Sequence, residues 1–151
     1  MAFRRPESVL IVIYDAASRV LVLQRQDDPD FWQSVTGTLE HNELPWETAS
    51  REVAEETGIH IETHSLQLID CGCTNQYVIR DIWRHRYPPN CRYNTEYVFA
   101  LQVTGDEVIK LTEHLSYQWL DKHQAIDKVW SDTNRAAIIK FVPDAGEQRC
   151  R

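Results

Sequence analysis

Apolar residues in this chain fall into short runs separated by polar clusters, and their spacing changes along the sequence. Ser8–Tyr14 is apolar at every position after the first and predicts a buried strand, and Arg19–Gln24 predicts a second after the polar turn Asp15–Ser18. Asp27-Asp28-Pro29-Asp30 is a turn signal, and Trp32–Thr36 predicts a short strand leading into a loop at Gly37. Helical spacing takes over at about 45–57. Leu66–Cys73 and Gln76–Arg86 look extended until Pro88-Pro89-Asn90 breaks the chain. Tyr93–Val103 predicts another strand, Thr104-Gly105-Asp106 a turn, and Val108–Leu111 and Ser116–Leu120 two short strands. Asp121–Val129 and Thr133–Phe141 are helical patterns. The expectation is an α/β fold, a mixed sheet with helices on both faces. It comprises one domain over residues 1–151, with a core at about 5–141 and a frayed tail at 142–151.

The helix at 45–57 carries the most informative spacing. At about 100° per residue, Glu52, Glu55 and Glu56 share one face. Trp46, Ala49 and Val53 form a separate stripe that can be packed while the acidic one faces a cleft. Pro45 suits the first turn, where a missing N–H costs least, and Gly58 suits the left-handed position past the end. Carboxylates crowded on one face repel unless a cation neutralises them. Hard divalent cations want oxygen ligands of this kind. An isolated E-x-x-E-E would nevertheless be read most simply as a solvated acidic face.

The flanking residues outweigh that simple reading. Gly37, Glu43, Arg51-Glu52-Val53, Glu55-Glu56 and Gly58-Ile59 stand at fixed offsets that resemble the Nudix box, G-x5-E-x7-R-E-U-x-E-E-x-G-U with U apolar, at every specified position. The resemblance implies a hydrolase of diphosphates linked to another group, using Mg²⁺ or Mn²⁺, on a Nudix α/β/α sandwich with a mixed β-sheet. It implies Glu52 and Glu56 as metal ligands and Glu55 as a further ligand or the base that activates water. Arg51 would orient the carboxylates through charge-assisted hydrogen bonds, and Glu43 would support the loop or approach the metals through water. Many family members carry Gly before the loop glutamate. Here the residue is Asn42, the non-glycine type best suited to positive φ.

Composition narrows the setting. Hydrophobic residues at 42% and charged residues at 26% fit an ordinary globular protein of this length. The longest apolar run, Val9 to Tyr14, has six residues, too short to span a membrane. No signal-peptide pattern follows Arg4-Arg5-Pro6, so a cytoplasmic location is the default. Cys71, Cys73, Cys91 and Cys150 are then expected as reduced thiols, with Cys71 and Cys73 on a strand. A net charge of −7 argues against general nucleic-acid binding. It also sits oddly with a phosphate substrate unless bound metal inverts the local field. The histidines show no H-E-x-x-H motif, so zinc is not expected.

Segments outside the box bear on substrate. Leu23-Gln24-Arg25, Phe31–Gly37, Arg84-His85-Arg86-Tyr87, Asn94-Thr95-Glu96 and Thr112–Leu115 resemble one branch of the family, over about Arg5 to Phe141. That branch removes pyrophosphate from 7,8-dihydroneopterin triphosphate in bacterial folate synthesis. The resemblance thus implies a small-molecule substrate, a pterin or nucleoside triphosphate, the alternative being housecleaning hydrolysis of dATP or other dNTPs. Arg4 and Arg25 can meet a triphosphate, or be surface charges. Thr36 can touch substrate, or reflect β-propensity alone. Tyr77, Val78, Ile79 and Arg80 lie where the resembled enzyme approaches its substrate. Ser131 holds a comparable late-loop position, or starts the last helix. Phe31 and Trp32 can wall the ring site or fill core. Because one helix supplies only one side of a coordination shell, a distant carboxylate is expected to complete it. Glu113 is the favoured third ligand, with Glu96 and Asp70 competing, and His85 and His114 can donate to phosphate.

Overall fold

The computed structural model describes residues 3–148, so Cys150 lies outside the described residues. The strands are β1 (Glu7–Tyr14), β2 (Val20–Arg25), β3 (Trp32–Gln33), β4 (Val35–Thr38), β5 (Leu68–Val78), β6 (Tyr93–Gln102) and β7 (His114–Leu120). The helices are α1 (Pro45–Thr57), α2 (Lys122–Lys128), α3 (Asp132–Phe141) and a short α4 (Ala145–Gln148). β1 is the spine of the seven-stranded mixed sheet. It runs parallel to β6 from Glu7↔Thr95 to Tyr14↔Gln102, and antiparallel to β4 from Ser8↔Thr38 to Ile11↔Val35. β5 pairs with the outer edge of β6. β2 meets β1 only at Tyr14↔Val20 and then turns away to pair with β3 and β7.

The unbroken apolar run of β1 follows from burial on both faces. Val9, Ile11 and Ile13 enter one core, and Leu10, Val12 and Tyr14 enter the other. β6 divides the same way, Phe99 and Leu101 against Val98 and Ala100. α1 closes the first core with Ala49 and Val53, while α2 and α3 close the second with Ala125, Ala137 and Ile138. The result is the expected α/β/α sandwich. No helix among the described residues is long and apolar enough to cross a membrane.

Several expectations are corrected. The strand expected at Trp32–Thr36 splits at Ser34, because its two halves pair with different neighbours. Asn134 of α3 pins the bend, accepting from Ser34 N–H at 2.8 Å and donating to Ser34 Oγ at 2.9 Å. Gly37 consequently sits inside β4 opposite Val9 and not in a loop. Trp46 is 55% exposed, whereas Ala49 and Val53 are buried. Periodicity assigns an angle around a helix but no depth along its axis, and Trp46 lies in the first turn. Leu66–Cys73 and the start of Gln76–Arg86 merge into β5, which carries a register shift between Asp70 and Thr74. Beyond Val78, residues Asp81–Arg86 coil into a 3-10 turn held by local bonds such as Trp83 N–H to Arg80 O at 2.9 Å. Val108–Leu111 joins no strand. Lys110 N–H instead donates to Thr57 O at 2.8 Å, tying the segment to the end of α1. Part of the expected tail is helical, as α4.

Candidate active site

The acidic helix is set in place by its ends and its packed face. Pro45 occupies the first turn, and the Glu47 carboxylate accepts from Leu44 N–H at 2.9 Å, capping a position whose own side chain has no acceptor. Gly58 ends the helix at φ 79° with its N–H bonded to Ala54 O at 2.9 Å. With Ala49 and Val53 pressed into the core, the rotation of α1 is settled and the adjacent stripe lies against β4. Gly37 matters here because a Cβ at that position would overlap the carboxyl end of Glu52. Its role is close approach, since its φ is not positive. Asn42 does adopt positive φ, at 65°, as its place before the loop glutamate suggests.

Arg51 organises the carboxylates. Its Nε and Nη2 donate to the two oxygens of Glu43 at 2.8 and 2.9 Å, and its Nη1 donates to Glu52 Oε1 at 2.6 Å and Glu55 Oε2 at 3.2 Å. The forked bond from Arg51 holds the Glu43 carboxyl down at about 2, helped by Thr48 and the backbone of Glu40. Glu43 thus anchors Arg51 and braces the turn before α1, its Oε1 also accepting from Glu40 N–H at 3.0 Å and Thr48 Oγ1 at 2.6 Å.

Glu52 and Glu56 are in the opposite condition. Burial raises the pKa of Glu56 well above the usual range, and the neighbouring Glu52 and Glu113 carboxylates push it further up. Burial also raises Glu52, against the pull of Arg51 and of a carboxyl–carboxyl hydrogen bond with Glu56. Glu56 is 3% exposed, and its Oε1 has no hydrogen-bond partner; His114 Nε2 stands 3.6 Å away. Burial, then the Arg25 charge, lowers the His114 pKa, which favours the neutral ring. Among the described residues no group of three or more His, Cys, Asp or Glu side chains converges into a ready-made metal cage. The donor set still fits a hard divalent cation, because an orphaned, buried carboxyl oxygen beside a second carboxylate is costly until something positive meets it. Glu52 and Glu56, with Glu113 close enough to be felt by Glu56, are the residues that could hold it. Glu55 is half exposed, its side chain 53% accessible, beside the same cleft.

The cleft has a volume of about 1380 Å³. Its lining includes Arg4 and Arg25, Thr36, Tyr77, Val78, Ile79 and Arg80, and Ser131, all singled out above for substrate contact. Arg25 is pinned by a bidentate bond to Asp27 at 2.7 and 2.6 Å and reaches Gln33 Oε1 at 3.0 Å. Gln33 passes the link on, donating to Thr36 Oγ1 at 3.0 Å, and also accepts from Trp130 Nε1 at 3.2 Å. Ser131 caps α3 through its hydroxyl, which accepts from Asn134 N–H at 3.1 Å, and it still borders the cleft. The Arg80 guanidinium lies among aromatic rings, 4.9 Å from the Trp83 centroid, 5.4 Å from Phe31 and 5.9 Å from Trp130.

Other candidates fall elsewhere. Among the described residues, Phe31, Trp32, Asp70 and His85 do not line the cleft. Trp32 is core, facing Lys128 across its ring, and Phe31 stacks on Trp130 at 4.6 Å. The aromatic residues that do line the cleft beside the arginines are Trp83 and Trp130, with the Gln33 relay behind Trp130. Sequence reading missed these because Trp83 lies in a stretch that looked extended and Trp130 only precedes a helix cap.

Residues 4–144 match the family model described as NUDIX domain. The chain is 48% identical over 146 residues to a dihydroneopterin triphosphate diphosphatase of Escherichia coli (strain K12), covering 95% of this chain and 96% of that protein. It is 41% identical over 143 residues to a protein of the same description from Haemophilus influenzae, covering 94% and 90%. The solved structure of the E. coli dihydroneopterin triphosphate pyrophosphohydrolase superposes with a TM-score of 0.88 at 47% identity, over 94% of this chain and 98% of that one.

Proposed function

The chain belongs to the Nudix family, and on that premise we propose that it hydrolyses 7,8-dihydroneopterin triphosphate to dihydroneopterin monophosphate and pyrophosphate. The observation that carries this reading is the unpartnered, buried Oε1 of Glu56, placed in one cleft with Arg4, Arg25 and Arg80. Carboxylates for a metal and guanidiniums for phosphates thus share one wall system, and full-length likeness to relatives described by this reaction supplies the pterin.

Nudix hydrolases generally use divalent metal ions, and in this proposal the ion is Mg²⁺, with Mn²⁺ as a substitute, held by Glu52, Glu56 and Glu113. When bound, the metal draws charge from phosphoryl oxygens and lowers the pKa of water. Arg51 keeps Glu52 and Glu55 aimed into the cleft. Glu55, less buried than its neighbours, takes the proton from the attacking water. Arg25, braced by Asp27, and Arg80, braced by aromatic rings, meet the phosphates, with Arg4 at the cleft edge. Oxygen from water joins one phosphorus, the bridging P–O bond breaks, and pyrophosphate leaves with that electron pair. Thr36, Tyr77, Val78, Ile79 and Ser131 shape the remainder of the site. On this reading the chain works as one Nudix domain in the cytoplasm. Its net charge of −7 argues against general nucleic-acid binding.

Pyrophosphate release across dihydroneopterin triphosphate and the dNTPs, at matched Mg²⁺, tests the substrate. The pterin is expected to give the highest kcat/KM, and a higher value for dATP or another dNTP would reassign the enzyme to nucleotide housecleaning. Glu56→Gln should lower kcat/KM by about 100-fold or more. Activity near wild type in that variant would remove Glu56 from the metal site.

A further inference from the structure

Glu96 is a cleft carboxylate that the hydrolytic machinery leaves unused. It is only 5% exposed, yet it borders the cleft. Strand register sets Thr38, Ser8, Glu96 and Asn75 side by side across β4, β1, β6 and β5. Glu96 therefore stands two strand spacings, roughly 10 Å, from the strand that passes under the box glutamates. That separation sets it apart from Glu52 and Glu56. Neutral donors hold it, namely Asn75 Nδ2 at 3.3 Å and the side chain of Thr133 at the start of α3. Asn94, next on the same face, is committed to Ser8 Oγ at 2.7 Å. Burying a carboxylate with only neutral partners is costly, and nothing in the packing around Glu96 requires a charge. Such a group suits a ligand that brings hydrogen-bond donors with it.

The geometry points to Glu96 as the residue that reads the pterin ring, accepting hydrogen bonds from its N3–H and 2-amino group. The inference rests on the pterin triphosphate reading above. On the ring edge remote from the phosphate-bearing side chain, a pterin presents these two N–H groups side by side, and a carboxylate accepts such a pair bidentately. Adenine offers no equivalent pair, because its exocyclic amine adjoins a bare ring nitrogen. The two carboxylate oxygens have lone pairs enough to keep Asn75 and Thr133 while taking both new bonds. Phosphates at the Arg25 and box end would leave the ring lying across β1 toward β6, with Tyr77, opposite Asn94 on β5, beside it. Glu96 is on this reading a specificity determinant, since a site built for donors rejects ligands that lack them.

The test compares wild type with Glu96→Gln on two substrates, dihydroneopterin triphosphate and its lumazine counterpart, in which a 2-oxo group replaces the 2-amino group. Gln keeps the size of Glu and can still accept from Asn75, so the fold should persist, as near-ultraviolet circular dichroism would verify. Wild type should favour the pterin in kcat/KM by about 10- to 100-fold. In Glu96→Gln that ratio should collapse or invert, because the new amide donates to the 2-oxo group. An unchanged ratio in the variant would overturn the assignment of Glu96 while leaving the proposed reaction standing. Metal-free titration with neopterin and its lumazine counterpart, followed by ligand fluorescence, reads the same preference without turnover. Loss of neopterin preference in the variant supports Glu96 even if wild type fails to hydrolyse the triphosphate, the outcome that would instead defeat the proposed reaction. Equal neopterin binding by wild type and variant counts against Glu96.

Discussion

The glutamates in and beside this cleft show how one residue type takes different states from its surroundings. Glu43 is clamped by Arg51 and held at about 2, while burial pushes Glu52, Glu56 and Glu96 upward. The Glu43 state has a consequence for stability. Its folded pKa lies below the ordinary 4.5, so between the two values the unfolded chain binds more protons than the folded one. The clamp therefore stabilises fully above about pH 4.5, and this contribution is lost as pH falls through about 2. Glu43→Gln should cost about 1–2 kcal/mol at pH 7, solvent screening included. It should also flatten the acid limb of stability in that window. Urea unfolding at a series of pH values measures both, and an acid limb as steep as wild type would show that Arg51 does not depend on Glu43. The activity of the same variant should fall as well, because Arg51 also holds Glu52 and Glu55.

At the scale of elements, the site exists because α1 crosses β4 closely enough for Glu52 to lie over Gly37. Gly37→Ala places a methyl group where the Glu52 carboxyl stands, and backbone pairing with Val9 prevents β4 from yielding. The expected outcome is a loss of about 100-fold or more in kcat with little change in the circular dichroism spectrum. Retained activity would mean that α1 can shift on the sheet without penalty. The start of α3 is a second such junction. The Ser131 hydroxyl caps the helix, and the residue also borders the cleft, next to Trp130 and Thr133. Ser131→Ala should lower stability by about 1 kcal/mol through the lost cap. A rise in KM beyond that seen for Asp121→Ala, which uncaps α2 outside the cleft lining, would separate substrate contact from capping.

Across the whole molecule, a protein of net charge −7 sets the buried carboxylates Glu56 and Glu96 and the arginines Arg4, Arg25 and Arg80 around one cleft. The unpartnered, buried Oε1 of Glu56 makes a cation the expected complement of that arrangement. On the proposed metal site, Mg²⁺ would bind the folded chain and not the unfolded one, so it should raise Tm by about 5 °C at saturation. Glu56→Gln, which removes the carboxylate charge, should respond by less than about 1 °C. Differential scanning fluorimetry with and without EDTA reads this directly, and equal shifts in both proteins would place the metal elsewhere.

The amino-acid order alone determined the parts of this protein that depend on short-range geometry. Residues three and four apart on a helix meet whatever the tertiary context, so the Glu52–Glu55–Glu56 face, the Pro45 and Gly58 ends and the role of Asn42 were legible before any fold was known. The apolar runs of β1, β2 and β6 likewise announced a sheet buried on both sides. Only the tertiary structure decided what depends on register between distant segments. A period of two says which face a strand residue takes, but not which strand lies beside it. Gly37 inside β4, the Gln33 relay between Arg25 and Trp130, the aromatic housing of Arg80 and the row from Thr38 to Asn75 all follow from pairings across tens of residues. Glu96 illustrates the division. Its sequence neighbours mark it as a strand residue, and only the alignment of β6 beside β1, under the start of α3, turns it into a buried carboxylate in a cleft.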